Sequence, residues 1–293
     1  MSILVGTRGW LIACTAVAAL AVAGYLGMPS DAPADRMRVG ILPDQSREIL
    51  EARYQPITQR LSDTLGMPFE LVIADDYEGL VQLFVAGDVE LAYFGGLTFL
   101  RAEAKAGARP LVMRSDDLNF HSYFLVRADE TASSLGEMKG RKLAFGSNLS
   151  TSGHLMPRFF MERDGFQPEV WFSQVAFSGA HDKTAYWVRD GIADIGVANS
   201  AIVDRMFESG RLDPKSVRVL GKTPPYADYV WAVQPGMPDE ISARIRDIFL
   251  SLSPAQPEDL AILTSLEAES FLPALTTDYA QLRIVAARLS LLD

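Results

Sequence analysis

Three hydroxyl residues in succession, Ser150, Thr151 and Ser152, lie between Phe145-Gly-Ser-Asn-Leu149 and Gly153-His154. At the mouth of a helix such a run has a definite chemistry. Side-chain O–H groups and the unpaired N–H groups of a first helical turn converge on one point, which is what a tetrahedral oxyanion requires. The alternative is an ordinary N-cap, in which the same oxygens serve only the helix backbone. A hydrolytic reading, with Ser150 or Ser152 paired to His181 and an aspartate, fits less well. Three adjacent hydroxyls suit binding better than the single activated oxygen of nucleophilic catalysis. The chain has no Gly-x-Ser-x-Gly elbow, no metal-spaced His/Cys set and no Gly-x-x-x-x-Gly-Lys loop, and no cofactor is implied.

The neighbouring sequence supplies the elements that must hold these groups. Arg141-Lys-Leu-Ala-Phe145 is short, apolar and closed by Gly146, which reads as a strand. Leu155, Phe159 and Phe160 then fall at helical spacing, so the hydroxyls sit where an N-cap belongs. His181 follows the small polar turn Ser178-Gly-Ala180 and opens a second helical run, so its ring can face the same crevice. Protonated, it would add charge to an anion's hydrogen bonds and strengthen them. His154 is expected to point off the helix start into solvent or the lobe edge, which leaves His121 as the second candidate histidine. Gly95-Gly96-Leu97-Thr98 offers a second helix start facing the first, where backbone N–H groups approach and any Cβ would intrude. Asp228 looks contradictory beside an anion. A buried carboxyl there can accept a proton from a protonated oxyanion or stay protonated and donate, and equally it can pair with a hinge Lys or Arg. Tyr226 and Tyr229 read as hinge packing, and Trp171, Trp187 and Trp231 as core.

With 293 residues, 48% of them apolar, the chain is long enough for two lobes. Its net charge of −10 and the lack of a basic stripe argue against nucleic acid. An anionic ligand must then be held by donors at contact distance, since surface charges beyond about 8 to 10 Å are largely screened. At the N-terminus, Arg8 precedes the uncharged run Trp10 to Leu26, an export signal or a membrane anchor. Ala21-Val-Ala23 offers a small-residue cleavage site, and Met28 to Asp35 reads as a flexible tether. The sole cysteine, Cys14, lies inside the apolar run, so an exported body cleaved after Ala23 has no disulfide and no thiolate.

The body alternates strands and helices. Met37–Leu42, Phe69–Ile73 and Val89–Phe94 read as strands, with helices over 48–65, 77–86 and from Thr98 through Ala106. A second unit of the same grammar begins after Ser133, with strands ending at Phe145, over Val170–Val175 and over Ile195–Ala198, and helices over 153–163 and 181–189. His121–Val126 and Tyr226–Val233 are the two segments that pass between units, and the last 55 or so residues, helical in pattern, complete the first. The grammar implies α/β lobes with largely parallel sheets, whose ligands gather at the strands' carboxyl ends. The expected division is 1–35 for signal or anchor plus tether, 36–126 with 227–293 for lobe 1, and 127–226 for lobe 2.

Five ordered segments carry a resemblance: Ala92-Tyr-Phe-Gly-Gly-Leu-Thr-Phe99, Ser150-Thr-Ser-Gly-His-Leu-Met-Pro157, Phe177-Ser-Gly-Ala-His-Asp-Lys-Thr184, Gly196-Val-Ala-Asn-Ser200 and Lys222-Thr-Pro-Pro-Tyr-Ala-Asp-Tyr-Val-Trp231. Together they resemble the phosphate/phosphite/phosphonate-type periplasmic substrate-binding proteins, with a flavour similar to selenate or other oxyanion receptors. The resemblance implies a type II-like, two-lobe periplasmic binding protein fold, each lobe a mixed, mostly parallel sheet flanked by helices, with two hinge crossings. It implies capture of a small oxyanion for an ABC importer; the alternative it offers is a sensor that signals to a membrane histidine kinase. The anion-gripping hydroxyls then match Ser150, Thr151 and Ser152, the ligand-facing histidine His181, and the acidic pocket residue Asp228. Pocket aromatics correspond to Tyr77 and to Phe120 or His121, and the shared motifs add Tyr93, Gly95, Thr98 and Asn199 to the expected ligand set. Arsenite-binding members depend on a cysteine that this body lacks.

Overall fold

The computed structural model describes residues 36–292; the expected signal or anchor, with Cys14 and the tether, lies outside them. Strand β1 (Met37–Ile41) is apolar at nearly every position and buried on both faces, as a central strand covered by helices must be. Helix α1 (Arg47–Leu65) turns Leu50, Tyr54, Ile57 and Leu61 inward at helical spacing and stops at Gly66, whose φ of 70° only glycine adopts easily. Strand β2 (Phe69–Ile73), helix α2 (Tyr77–Val85), strand β3 (Leu91–Phe94), helix α3 (Gly96–Ala106) and strand β4 (Arg109–Arg114) continue the alternation. The second set comprises β5 (Ser122–Arg127), β6 (Lys142–Phe145), α4 (Met156–Arg163), α5 (Pro168–Trp171), β7 (Gln174–Phe177), α6 (His181–Arg189), β8 (Ile195–Asn199), α7 (Ser200–Glu208) and β9 (Val217–Lys222). The chain then returns through β10 (Val230–Val233), α8 (Asp239–Ser251), α9 (Pro257–Ser265), β11 (Phe271–Pro273) and α10 (Ala280–Arg288).

These strands form two sheets, one ordered β11-β4-β10-β3-β1-β2 and the other β7-β6-β8-β5-β9. Each is mixed, but not mostly parallel as expected: two of the five strand pairings in the first sheet and two of the four in the second are parallel. In the first, β1 to β4 share a direction and β10 and β11 oppose it; in the second, only β5 is reversed. The fold is therefore the expected two-lobe α/β arrangement. The chain crosses between sheets twice, at 115–121 and at 223–229, and the crossings pair with each other at Phe120 and Tyr226.

Three further details differ from the sequence reading. Ser122–Arg127, assigned to the end of lobe 1, hydrogen-bonds with β8 and β9, so the first crossing lies before this strand and not at 126. The strand expected from Val170 begins instead at Gln174, because Pro168 sits at the first position of the short helical turn α5, where its fixed φ favours a helix start. The helical C-terminus also contributes β11, a three-residue edge strand ending in Pro273.

Candidate ligand-binding site

The hydroxyl run forms the N-cap that its position predicts. Ser150 is the N-cap, its Oγ accepting the Gly153 N–H at 2.8 Å, and a π-turn over Thr151–Leu155 carries the chain into α4. The same Oγ lies 3.4 Å from His181 Nε2, and all three hydroxyl residues are buried. The cap thus holds Ser150 beside the His181 ring. Opposite, from the other lobe, Tyr77 opens α2 behind its Asp76 cap and brings its O–H to 3.4 Å from the same His181 nitrogen.

His181 has its tautomer fixed by the backbone. The Asn199 N–H donates to Nδ1 at 3.1 Å, so in the neutral ring the hydrogen sits on Nε2, among Ser150 and Tyr77. Complete burial drives the ring's pKa down to about 3. At neutral pH this is an uncharged donor, so the added charge that a protonated ring would bring is not in play.

Across the cleft, the Gly95–Thr98 helix start faces the hydroxyls as expected, but two of its N–H groups are already engaged. Gly96 N–H donates to Asp228 Oδ1 at 3.2 Å, where the second crossing enters β10, and Leu97 N–H donates to Thr151 Oγ1 at 2.9 Å, which ties the lobes together. Gly95 leaves open the space where Leu42, Asp228 and Thr151 converge. Thr98 turns its hydroxyl back onto the Gly95 carbonyl, 2.9 Å away, completing the helix turn.

Asp228 is 1% exposed, and its Oδ2 has no hydrogen-bond partner among the described residues. The hinge cation considered as its partner is engaged elsewhere: Arg114, the buried arginine on this side, is held bidentately by Asp117 at 2.7 and 3.0 Å. Burial raises the Asp228 pKa to about 7, against the Gly96 N–H and the hydroxyls of Thr151 and Ser152, which lower it.

Other expected site residues take other places. Tyr93 forms a wall, its ring stacked on Tyr229 at 5.1 Å and 11°. Asn199 caps α7 through Oδ1, which accepts the Ile202 N–H, and donates from Nδ2 to Tyr229 Oη at 3.1 Å. His121 stands apart, its Nδ1 held 2.8 Å from the Thr223 carbonyl between the crossing segments. His154, expected in solvent or at the lobe edge, is buried between Phe145 and Phe177, both rings 4.9 Å away, and burial lowers its pKa to about 4. Of the three tryptophans read as core, Trp231 is core, whereas Trp171 and Trp187 are half-buried under Lys139 and Lys183.

Two polar residues at the cleft escaped the sequence reading. Asp44 accepts from Tyr229 O–H at 2.9 Å, which turns a tyrosine read as packing into a polar contact. A signal for Asp44 existed: it follows the carboxyl end of the first strand, where ligands of parallel sheets gather.

Close packing makes one prediction immediate. A Cβ at Gly153 would fall 2.9 Å from both His181 Cε1 and Ser150 Oγ, and 3.1 Å from the Gly146 Cα. Neither the capped serine nor the ring bonded to Asn199 can yield freely. Gly153→Ala is therefore expected to lower stability by about 1–3 kcal/mol, as overpacking does, and to weaken ligand binding in the same step. Urea midpoints and calorimetry test both effects.

The geometry is that of a buried cleft in which neutral donors lie beside the Asp228 carboxyl. The family described as ABC transporter, phosphonate, periplasmic substrate-binding protein matches the chain over residues 39–279. The probable ABC transporter phosphite binding protein PhnD1 of Prochlorococcus marinus is 27% identical over 266 residues, 87% of this chain and 90% of that protein. The phosphate-import protein PhnD of Mycolicibacterium smegmatis is 29% identical, with 81% and 79% covered. The solved structure of the Prochlorococcus protein in complex with methylphosphonate superposes with a TM-score of 0.82 at 26% identity, covering 87% of this chain and 98% of that one. Fold and family match agree, and the chain belongs to the phosphonate periplasmic substrate-binding proteins of ABC transporters.

Proposed function

We propose that this protein captures a small phosphorus oxyanion that still carries an acidic proton, such as phosphite, phosphate or a short phosphonate, and delivers it to an ABC permease. The observation that carries the reading is Asp228: a buried carboxyl with one unpartnered oxygen, among the hydroxyls of Thr151 and Ser152. A carboxylate repels a fully ionised anion but accepts a hydrogen bond from one that keeps an O–H. Ser150, Thr151, Ser152, Tyr77 and His181 Nε2–H supply the donors for the remaining oxygens. Ligands that fill one such set of donors and acceptors are separated from isosteres that leave a buried group unpaired.

Sulfate and selenate, tetrahedral but unprotonated at neutral pH, are the discriminating controls. In a thermal-shift and calorimetry panel, phosphite, phosphate and methylphosphonate are expected to include a binder, and sulfate and selenate to leave the protein unshifted. A ligand at 100 times its Kd stabilises by about 2.7 kcal/mol, well within reach of the measurement. Equal binding of sulfate would refute the proton-reading role of Asp228.

Membership of a substrate-binding transport family carries a periplasmic site of action. We propose that the apolar run Trp10–Leu26 delivers the chain there and that bound ligand leaves chemically unchanged, so phosphoesters incubated with the protein should release no product. An arsenite sensor acting through a thiolate finds no support, because the only cysteine is Cys14.

A further inference from the structure

A ring of hydrogen bonds crosses the cleft beside the ligand site, and Asp44 is the one carboxylic acid in it. Asp44 follows β1 in the first lobe. Its main-chain carbonyl accepts the N–H of His181, the first residue of α6 in the second lobe, at 3.1 Å. Its Oδ2 accepts the Tyr229 O–H at 2.9 Å, and the Tyr229 oxygen in turn accepts from Asn199 Nδ2 at 3.1 Å. The Asn199 main-chain N–H then donates to His181 Nδ1, closing the ring. Asp44, Tyr229, Asn199 and His181 are at most 3% exposed.

The ring has one consistent direction. An ionised carboxyl carries no hydrogen, so Tyr229 must donate to Asp44 and is left as an acceptor toward Asn199. That fixes the Asn199 amide with Nδ2 toward Tyr229 and Oδ1 toward the Ile202 N–H. The residue so fixed is the one whose backbone keeps the His181 hydrogen on Nε2. Around Asp44 stand Arg53, Arg114 and Glu267, which share with it a void of about 10 Å³, room for a single water with polar partners. The Arg114 guanidinium also lies over the Tyr229 ring at 5.5 Å, holding the aromatic link in place.

We propose that Asp44 is a positioning residue for ligand capture: touching no ligand atom, it latches the two lobes and, through Tyr229 and Asn199, aims the Nε2 hydrogen of His181 into the hydroxyl cluster. The inference rests on the reading of this cleft as an oxyanion site. One further hydrogen bond between the lobes, Leu97 N–H to Thr151, closes the opposite side of the cleft, so the latch works as the second of two clasps.

Asp44→Ala and Tyr229→Phe each cut the ring at a different link, while Asp44→Asn keeps an oxygen facing Tyr229. Stopped-flow release of methylphosphonate is expected to be about tenfold faster in the first two, with association changed little, as for most changes in interface contacts. Asp44→Asn is expected to recover most of the loss. Two ligand-free measurements stand independently. The radius of gyration by X-ray scattering should increase in Asp44→Ala and Tyr229→Phe, and the ¹⁵N spectrum of His181 should lose its single Nε2–H tautomer. Should Asp44→Ala fail to fold, Tyr229→Phe, which loses one hydroxyl and keeps its ring on Tyr93, decides the matter. Unchanged release, scattering and tautomer in Tyr229→Phe would overturn the latch. A wild type that binds none of phosphite, phosphate or methylphosphonate instead sinks the ligand reading, and the scattering and the tautomer still judge the latch.

Discussion

Removing two hydroxyls, in Ser150→Ala with Thr151→Ala, is expected to reduce affinity for the oxyanion by about 10²–10⁴. Hydrogen bonds to a charged group contribute roughly 1.5–3 kcal/mol each, and the two deletions act on one ligand. Their structural roles differ, which lets the effects be separated. Ser150 also caps its helix by accepting the Gly153 N–H, so its loss lowers stability by about 1 kcal/mol, the usual effect of deleting a cap. Thr151 accepts the Leu97 N–H from the other lobe, so its loss leaves that buried donor unpaired and loosens closure even without ligand. Calorimetry on the single and double variants, with urea midpoints alongside, distinguishes a ligand contact from a weakened cap. An affinity that stays constant while stability falls would leave the run as a cap alone.

The legibility of this molecule from its sequence is uneven for physical reasons. Elements with a strong local period, such as α1 with its inward Leu50, Tyr54, Ile57 and Leu61, are plain, as is the strand running into the hydroxyls. Strands whose identity depends on partners are not. Ser122–Arg127 is apolar enough for either lobe, and only its ladders to β8 and β9 decide which. At the site, Ser150, Thr151, Ser152, His181, Tyr77 and Asp228 stand out in the sequence because small polar residues at element ends advertise themselves. The charge state of His181 is not legible, since it depends on an Asn199 N–H that is 18 positions away in sequence and on complete burial. His154 misleads for the opposite reason. Its position on the helix start suggests solvent or the lobe edge, but Phe145 and Phe177 sandwich it and Arg158 donates to its ring.

Asp228→Asn is expected to make the ligand-free protein more stable at pH 8, by a few kcal/mol, while impairing the function that the carboxyl serves. Burial lifts the Asp228 pKa from an ordinary 3.8 to about 7, with Asp117 adding to the rise. The folded state therefore retains a proton that the unfolded chain releases between about pH 4 and pH 7. Stability tied to this group is full below that window and declines as pH rises through it, because the native state binds more protons there. Each tenfold difference in acidity between the folded and unfolded carboxyl corresponds to about 1.4 kcal/mol, so the decline amounts to a few kcal/mol above pH 7. The amide variant has nothing to titrate and escapes it.

The wild-type profile also contains opposing groups. His181 and His154, depressed to about 3 and 4, remove stability as pH falls below 6.5, whereas Asp44, raised to about 6, acts in the same direction as Asp228 between about pH 4 and pH 6. All three persist in the variant. The difference between variant and wild-type urea midpoints at pH 5 and pH 8 isolates Asp228, and a difference that does not grow toward pH 8 would rule out a raised carboxyl. Selectivity should move with it. An ionised Asp228 accepts the proton that a phosphorus oxyanion keeps, and sulfate has none to offer, so this carboxyl reads whether the ligand can supply one. An amide cannot take part in that exchange but can donate to an unprotonated oxygen. The ratio of sulfate to phosphite affinity is accordingly expected to rise in Asp228→Asn. The same substitution that relieves a destabilised native state would thus erase the distinction for which the carboxyl is kept buried.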